Sequence, residues 1–324
     1  MISTVAGEAE LGRVKEYIRR FTAHALQGTE TGAVLDEVLG SAGKMIRPRL
    51  LLLTSAFGPV REERLDRVCM LAAMVEMTHT ASLIHDDIVD DAAVRRGKPS
   101  LQSRFGKDAA VYAGDFLISR VNYHLAKEHL TEAAVILSET VEKMCVGEIG
   151  QDLCRYREDV SPEKYLDNIR GKTAALFGTS CLLGSREAGC TEEESEGFRR
   201  LGEDIGIMFQ FRDDLMDFVS TEAAEGKDTQ KDFRDGIYTL PVLLAAETEE
   251  GREALLPFMR KSREGTLSVE DCRRVTGIVL TRGVEKARQE IHRYASEALA
   301  LTEPLPDSVP RAQLRKLIGK LDAV

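Results

Sequence analysis

The stretch Arg64–Asp91, RLDRVCMLAAMVEMTHTASLIHDDIVDD, decides how the rest of the chain is read. It contains neither Gly nor Pro, so nothing in it breaks a helix. Its apolar residues fall on most sides of a helical wheel instead of one stripe, which predicts a central, buried helix. The run closes on HDDIVDD, which puts Asp86, Asp87 and Asp90 in its last turns. Residues three and four apart share a helix face, so Asp90 sits beside both of the others.

Working outward, the same punctuation recurs. No proline falls between Pro99 and Pro162 or between Pro162 and Pro241, and these stretches are rich in Ala, Leu, Glu and Arg. Helical spacing is expected over 8–27, 108–130, 131–157, 162–188 and 191–219, with a short loop punctuated by Gly40, Gly43 and Pro48 ahead of Leu50–Phe57. It returns after a polar segment at 220–239 and ends in a basic amphipathic stretch, Arg311–Lys320. No low-complexity segment, repeat or linker interrupts this pattern. The expectation is a single all-α domain over residues 1–324.

Composition narrows the function. The 324 residues are 43% hydrophobic, ample for a core, and carry a net charge of −10. An acidic chain lacks the basic footprint of a nucleic-acid binder. The six cysteines form no CxxC pair, so they read as reduced thiols and not as a disulfide framework or zinc site. Charged residues precede any apolar run at the start, and no uninterrupted apolar stretch reaches membrane-spanning length. A cytoplasmic protein without a membrane span is expected.

The aspartate spacing of HDDIVDD returns in FRDDLMDF as Asp213, Asp214 and Asp217, again near the end of an apolar helix. A lone DDxxD is an ordinary solvated helix end. Two copies, each embedded in apolar sequence, are different: carboxylates one turn apart repel, and burying them is costly unless cations neutralise them. An all-oxygen ligand set suits a hard ion, and Mg²⁺ keeps waters and shares itself with substrate phosphates. A di-iron bundle would need two Glu-x-x-His pairs, and only Glu76 with His79 is present. Basic residues that could hold a phosphate lie in Gly43–Pro48 (Lys44, Arg47), Arg95–Lys98 and Gly171–Thr173 (Lys172), and at Gly226–Lys227. Gly171-Lys172-Thr173 lacks the upstream glycine spacing of a P-loop, so an ATP-driven kinase is not supported.

With these residues on the page, the chain resembles the trans-polyprenyl diphosphate synthases. The matching blocks are GKMIRP, HTASLIHDDIVDD, RRGKPS, GDFL, GKTAALF and QFRDDLMDF, then GK and TLP, in the family's order between residues 43 and 241. The resemblance implies an all-α isoprenoid-synthase helical bundle around a deep central cavity, and an enzyme that condenses an allylic diphosphate with isopentenyl diphosphate, using about two to three Mg²⁺ ions. It implies that Asp86, Asp90 and Asp213 are direct metal ligands, with Asp87, Asp214 and Asp217 completing the motifs. Lys44, Arg47, His79 and Arg96 match the isopentenyl diphosphate site. Arg95, Lys172, Gln210 and Lys227 match the allylic diphosphate site. His85 reads as structural. A homodimer is the family's usual assembly; a regulatory or catalytic subunit of a two-component synthase is the other class. One departure stands out: many members carry a Lys before the TLP block, where this chain has Gly236-Ile237-Tyr238, unless Lys231 or Arg234 takes its place.

Product length is expected to be read along the first aspartate helix. Only two residues separate Asp87 from Asp90, without the insertion of short-chain bacterial farnesyl synthases. Ala81 and Ser82 are small where short-chain members tend to carry an aromatic floor. Met77 and Met74 lie deeper and are flexible, and Tyr123 is an alternative floor. Products longer than C15 are expected, with C30–C40 favoured and geranylgeranyl diphosphate as the other choice.

Overall fold

The long apolar run folds as one helix, Arg61–Val89, with Asp90 closing its end and Asp91 just beyond it in a left-handed conformation. Every residue from Val68 to Thr78 is buried, whatever side of the helix it occupies. That is the all-round burial its apolar wheel demands. The helix is long and apolar enough to span a bilayer, but 72% of its most apolar window is buried inside the protein, as in a core helix.

This computed structural model describes residues 7–23, 28–40, 43–95, 97–219 and 230–324. In chain order the helices are α1 (Glu8–Thr22), α2 (Glu30–Gly40), α3 (Ile46–Ser55), α4 (Arg61–Val89), α5 (Leu101–Phe105), α6 (Lys107–Lys127) and α7 (Thr131–Asp152). There follow α8 (Pro162–Ile169), α9 (Ala175–Glu187), α10 (Glu192–Val219), α11 (Lys231–Arg234), α12 (Leu240–Ala245) and α13 (Glu249–Arg263). The chain ends with α14 (Val269–Arg282), α15 (Val284–Thr302) and α16 (Val309–Asp322). Among the described residues the only sheet is a two-stranded antiparallel ribbon, Val94–Arg95 with Lys98–Pro99, inside the basic loop after α4. The all-α expectation holds.

The chain clusters into two compact units, Met1–Glu139 with Thr179–Arg199, and Thr140–Gly178 with Arg200–Val324. In the first, α4 packs against α1, α3 and α6. In the second, α15 packs against α12, α14 and α16, and α8 against α12. Local chemistry starts several of these helices where the sequence places a cap. The Ser161 hydroxyl accepts from the Lys164 amide ahead of Pro162, and Ser268 and Asp271 form a reciprocal capping box.

The segment 162–188, expected as one helix, is one in outline but not in winding. Between α8 and α9 the residues Arg170–Ala174 form a π-helical turn, which inserts an extra residue and re-aims the side chains after it. Lys172 is in that turn, so it stands on a distorted helix and not in a loop.

On α10, burial pushes the Asp204 carboxyl up to about 7; Glu297 and Glu203 add to this, and Arg293 and Arg170 oppose it. The unfolded chain releases this proton near 3.8, so the stability linked to it is complete below that pH and is lost as pH rises through about 7. Asp204→Asn should therefore stabilise the protein at pH 8 by about 1–2 kcal/mol, allowing for screening at a partly exposed site, and change little at pH 4. Thermal unfolding at both pH values checks this; an equal gain at each would contradict it.

Candidate active site

Each DDxxD motif divides in the same way. Asp87 is only 5% exposed, and Arg95 donates to its Oδ1 from Nε at 2.7 Å and also from Nη2. Asp86 is half-buried and Asp90 exposed. On α10, Asp214 is only 3% exposed; Tyr165 of α8 donates its phenol proton to Oδ2, and Gln210 Nε2 donates to Oδ1 at 2.8 Å. Asp213 is exposed and Asp217 half-buried. The cause is helical pitch: the first and last aspartates of each motif are four apart and share a face, while the second lies about 100° round the wheel. Of the six aspartates expected at metal, Asp87 and Asp214 are thus turned inward and engaged by protein donors.

The Asp214 cluster extends one step further, because Thr173 of the π-helical turn donates its hydroxyl to Gln210 Oε1 at 3.0 Å. Burial pushes the Asp214 carboxyl up to about 7 against the pull of its two donors, and pushes the Tyr165 phenol well above its ordinary value. Asp217 rises to about 6, first from burial and then from Asp232 and Asp213. Asp232, on α11, is a fourth carboxylate of this cluster that the motif reading missed. Its only sequence signal was its place in the Lys- and Asp-rich segment before the TLP block.

The cations take distinct places. Lys44 is exposed and precedes Met45, a non-glycine residue in the left-handed region (φ 52°) at the start of α3. Arg47 is half-buried in the first turn of that helix. His79 is half-buried on α4, and its carbonyl accepts from the Ser82 hydroxyl at 2.9 Å. Lys172 Nζ lies 3.0 Å from Glu148 Oε1. Arg96 and Lys227 lie outside the described residues. Arg95, expected at a diphosphate, is committed here to Asp87. Of the two candidates for the missing Lys, Lys231 is exposed at the first position of α11 and Arg234 is half-buried at its last.

His85 faces Gly114, where an added Cβ would come within 2.2 Å of its Nε2, and it lies 3.4 Å from Asp115. Glycine at position 114 of the GDFL block thus lets α6 pass close to the His85 ring at the end of α4. Met74, Met77 and Ala81 are fully buried along α4. Tyr123 is 51% exposed under the Arg120 guanidinium, 4.8 Å from its ring, so it is corrected from an interior floor to a surface residue of the first unit.

The donors fit a hard divalent ion: they are all-oxygen and one helical turn apart, and in the second cluster burial, then Asp232 and Asp213, raises Asp217 in a way a bound cation would relieve. Among the described residues no three acidic, histidine or thiol groups converge closely enough to cage an ion unaided. Such a set suits ions that complete their coordination with water and substrate phosphate.

A family model described as polyprenyl synthetase matches residues 29–276. The chain belongs to the polyprenyl synthetase family. The synthase is 35% identical to heptaprenyl diphosphate synthase component 2 of Geobacillus stearothermophilus over 90% of each chain. Among solved structures it resembles a polyprenyl synthase from Caulobacter crescentus complexed with calcium and isoprenyl diphosphate, at 28% identity and a TM-score of 0.88 over 98% of this chain and 95% of that one. It also resembles a geranylgeranyl pyrophosphate synthase from Lactobacillus brevis, at 31% identity and a TM-score of 0.82 over 97% of this chain and 96% of that one. The synthase is a trans-prenyltransferase with the isoprenoid-synthase helical fold.

Proposed function

We propose that the synthase elongates an allylic diphosphate with isopentenyl diphosphate to a polyprenyl diphosphate longer than C15, within C30–C40, acting as one catalytic domain. The observation that carries this reading is the pair of matched motifs, each burying its second aspartate and leaving the first and last at least partly accessible at the end of an apolar helix. Bound Mg²⁺ would supply charge neutralisation to the departing diphosphate. Each motif would hold such ions within its own unit, Asp86 and Asp90 in the first and Asp213 and Asp217 in the second, with Asp87 and Asp214 setting their backbone and Asp232 adding charge to the second. The allylic carbon–oxygen bond then ionises, the isopentenyl double bond attacks the cation, and a proton is lost from the adduct to the released diphosphate. The 35% identity to a heptaprenyl synthase component over 90% of both chains supports the long product. That relative's name, a component, supports a second reading in which this chain is the catalytic subunit of a two-chain synthase; a homodimer is the alternative assembly.

Incubating the purified chain with farnesyl and isopentenyl diphosphates and Mg²⁺, with products sized by mass spectrometry, tests both. Products of C30–C40 from the chain alone support the first reading. Products ending at C15 or C20 overturn the length assignment, and no turnover by the chain alone favours the two-chain reading.

The two diphosphate sites separate by kinetics. Lys44→Ala and Arg47→Ala should raise KM for isopentenyl diphosphate, and Lys172→Ala and Lys227→Ala that for the allylic substrate. Each lost charge-assisted contact is worth about 1.5–3 kcal/mol, or roughly ten- to hundredfold. Equal weakening of both substrates by every variant would refute this division.

A further inference from the structure

The ion pair between Lys172 and Glu148 connects two elements that the sequence holds against each other. At Gly147 of α7 an added Cβ would stand 2.4 Å from the backbone nitrogen of Lys172 and 2.5 Å from the Asn168 carbonyl. At Gly171 it would stand 2.5 Å from the Lys143 carbonyl and 3.2 Å from the Gly147 Cα. A backbone approach this close requires glycine at both positions. The two glycines bring the backbone of α7 onto the π-helical turn and leave their neighbours, Glu148 and Lys172, side by side at 3.0 Å.

Neither partner is sealed away: the side chains keep 26% and 36% of their exposure, for Lys172 and Glu148 respectively. A pair at this depth is stabilised only modestly over its separated, hydrated ions, so an incoming multivalent anion can compete for the lysine.

We infer that Glu148 is an internal competitor for Lys172: its carboxylate occupies the ammonium in the free enzyme, opposes diphosphate binding, and so weakens retention of allylic substrate and of released diphosphate. This rests on the reading of Lys172 as a contact to the allylic diphosphate. Glu148 is on this account a positioning residue, acting on substrate only through the lysine. Such a counter-ion suits repeated elongation. Each cycle must release diphosphate from the ionised site, and a lysine with its own carboxylate waiting lets that anion go.

The test uses the full chain with inorganic pyrophosphate and Mg²⁺ as probe, its inhibition constant against farnesyl diphosphate being read alongside KM for both substrates. Glu148→Gln keeps the shape of the side chain and removes its charge. It should tighten pyrophosphate inhibition by about three- to tenfold and lower KM for farnesyl diphosphate in parallel, while KM for isopentenyl diphosphate stays within about twofold. Glu148→Ala should move the same constants in the same direction, which keeps the test available if the amide disturbs folding. In a Lys172→Ala background both effects should vanish, because the carboxylate then has no lysine to compete for. If Lys172→Ala alone leaves pyrophosphate binding unchanged, the assignment of Lys172 fails, and this inference with it. If Lys172→Ala weakens binding but neither Glu148 variant tightens it, the assignment stands and the inference is overturned. A Glu148 effect that persists without Lys172 overturns it equally.

Discussion

Asp213→Ala and Asp86→Ala are each expected to lower turnover by at least about 10²-fold, the scale of removing a preorganised charge from a site where charge develops. Asp213 is exposed and Asp86 half-buried, and each shares its helix face with a second aspartate one turn on. Excess EDTA should abolish activity, and Mg²⁺ should restore it. Asp214→Asn is the informative contrast. Its carboxyl is buried and already receives Tyr165 and Gln210. The amide should therefore cost about 1–3 kcal/mol of stability while leaving the Mg²⁺ concentration for half-activation within about twofold of wild type. Full activity in EDTA, or a Mg²⁺ requirement shifted as far by Asp214→Asn as by Asp213→Ala, would overturn the division of labour within the motif.

Ala81→Phe is expected to shorten the product by at least one isoprene unit without abolishing condensation. Ala81 lies five residues before Asp86 on α4, roughly 7 Å down the helix axis at 1.5 Å per residue, and Met77 lies a further turn below. All three packing positions, Met74, Met77 and Ala81, are fully buried, so a phenyl ring there must take space from whatever lies along this face. Overpacking of this kind costs about 1–3 kcal/mol, which the fold should bear. If the face carries the growing chain, the ring ends it early. If instead it is solid core, the variant loses stability while its product length stays the same, and the assignment of Ala81, Ser82 and Met77 to length control is wrong. Mass spectrometry of the products beside a melting curve distinguishes the two.

Some of the site was legible before the structure and some was not. The aspartate motifs were legible because their spacing is a local property: residues four apart share a helix face wherever the helix is placed. The basic blocks were legible as candidates for the same reason. Their partners were not. Nothing local to RRGKPS says that Arg95 turns back onto Asp87, nor that Lys172 meets Glu148 across two glycines. Asp232 was passed over because its charge counts only beside Asp213 and Asp217, which precede it on a different helix. Tyr123 reads as an alternative floor from its residue type alone; its exposure depends on which face of α6 the neighbouring helices cover.

The sequence by itself determined that the chain is helical, that α4 is a core helix, and that two equivalent carboxylate sets end two apolar helices. These follow from periodicity, from the long gaps between prolines and from side-chain volume, which act over a few turns. Only the tertiary structure decided that the second aspartate of each motif faces inward to Arg95 or to Tyr165 and Gln210, and that the helix carrying Lys172 is wound as a π turn there. It also decided which acid stands against that lysine. The physical reason is that a hydrogen bond or an ion pair has a range of about 3 Å. Which groups come that close depends on how helices far apart in sequence pack, and that is fixed by the whole core and not by any segment of it.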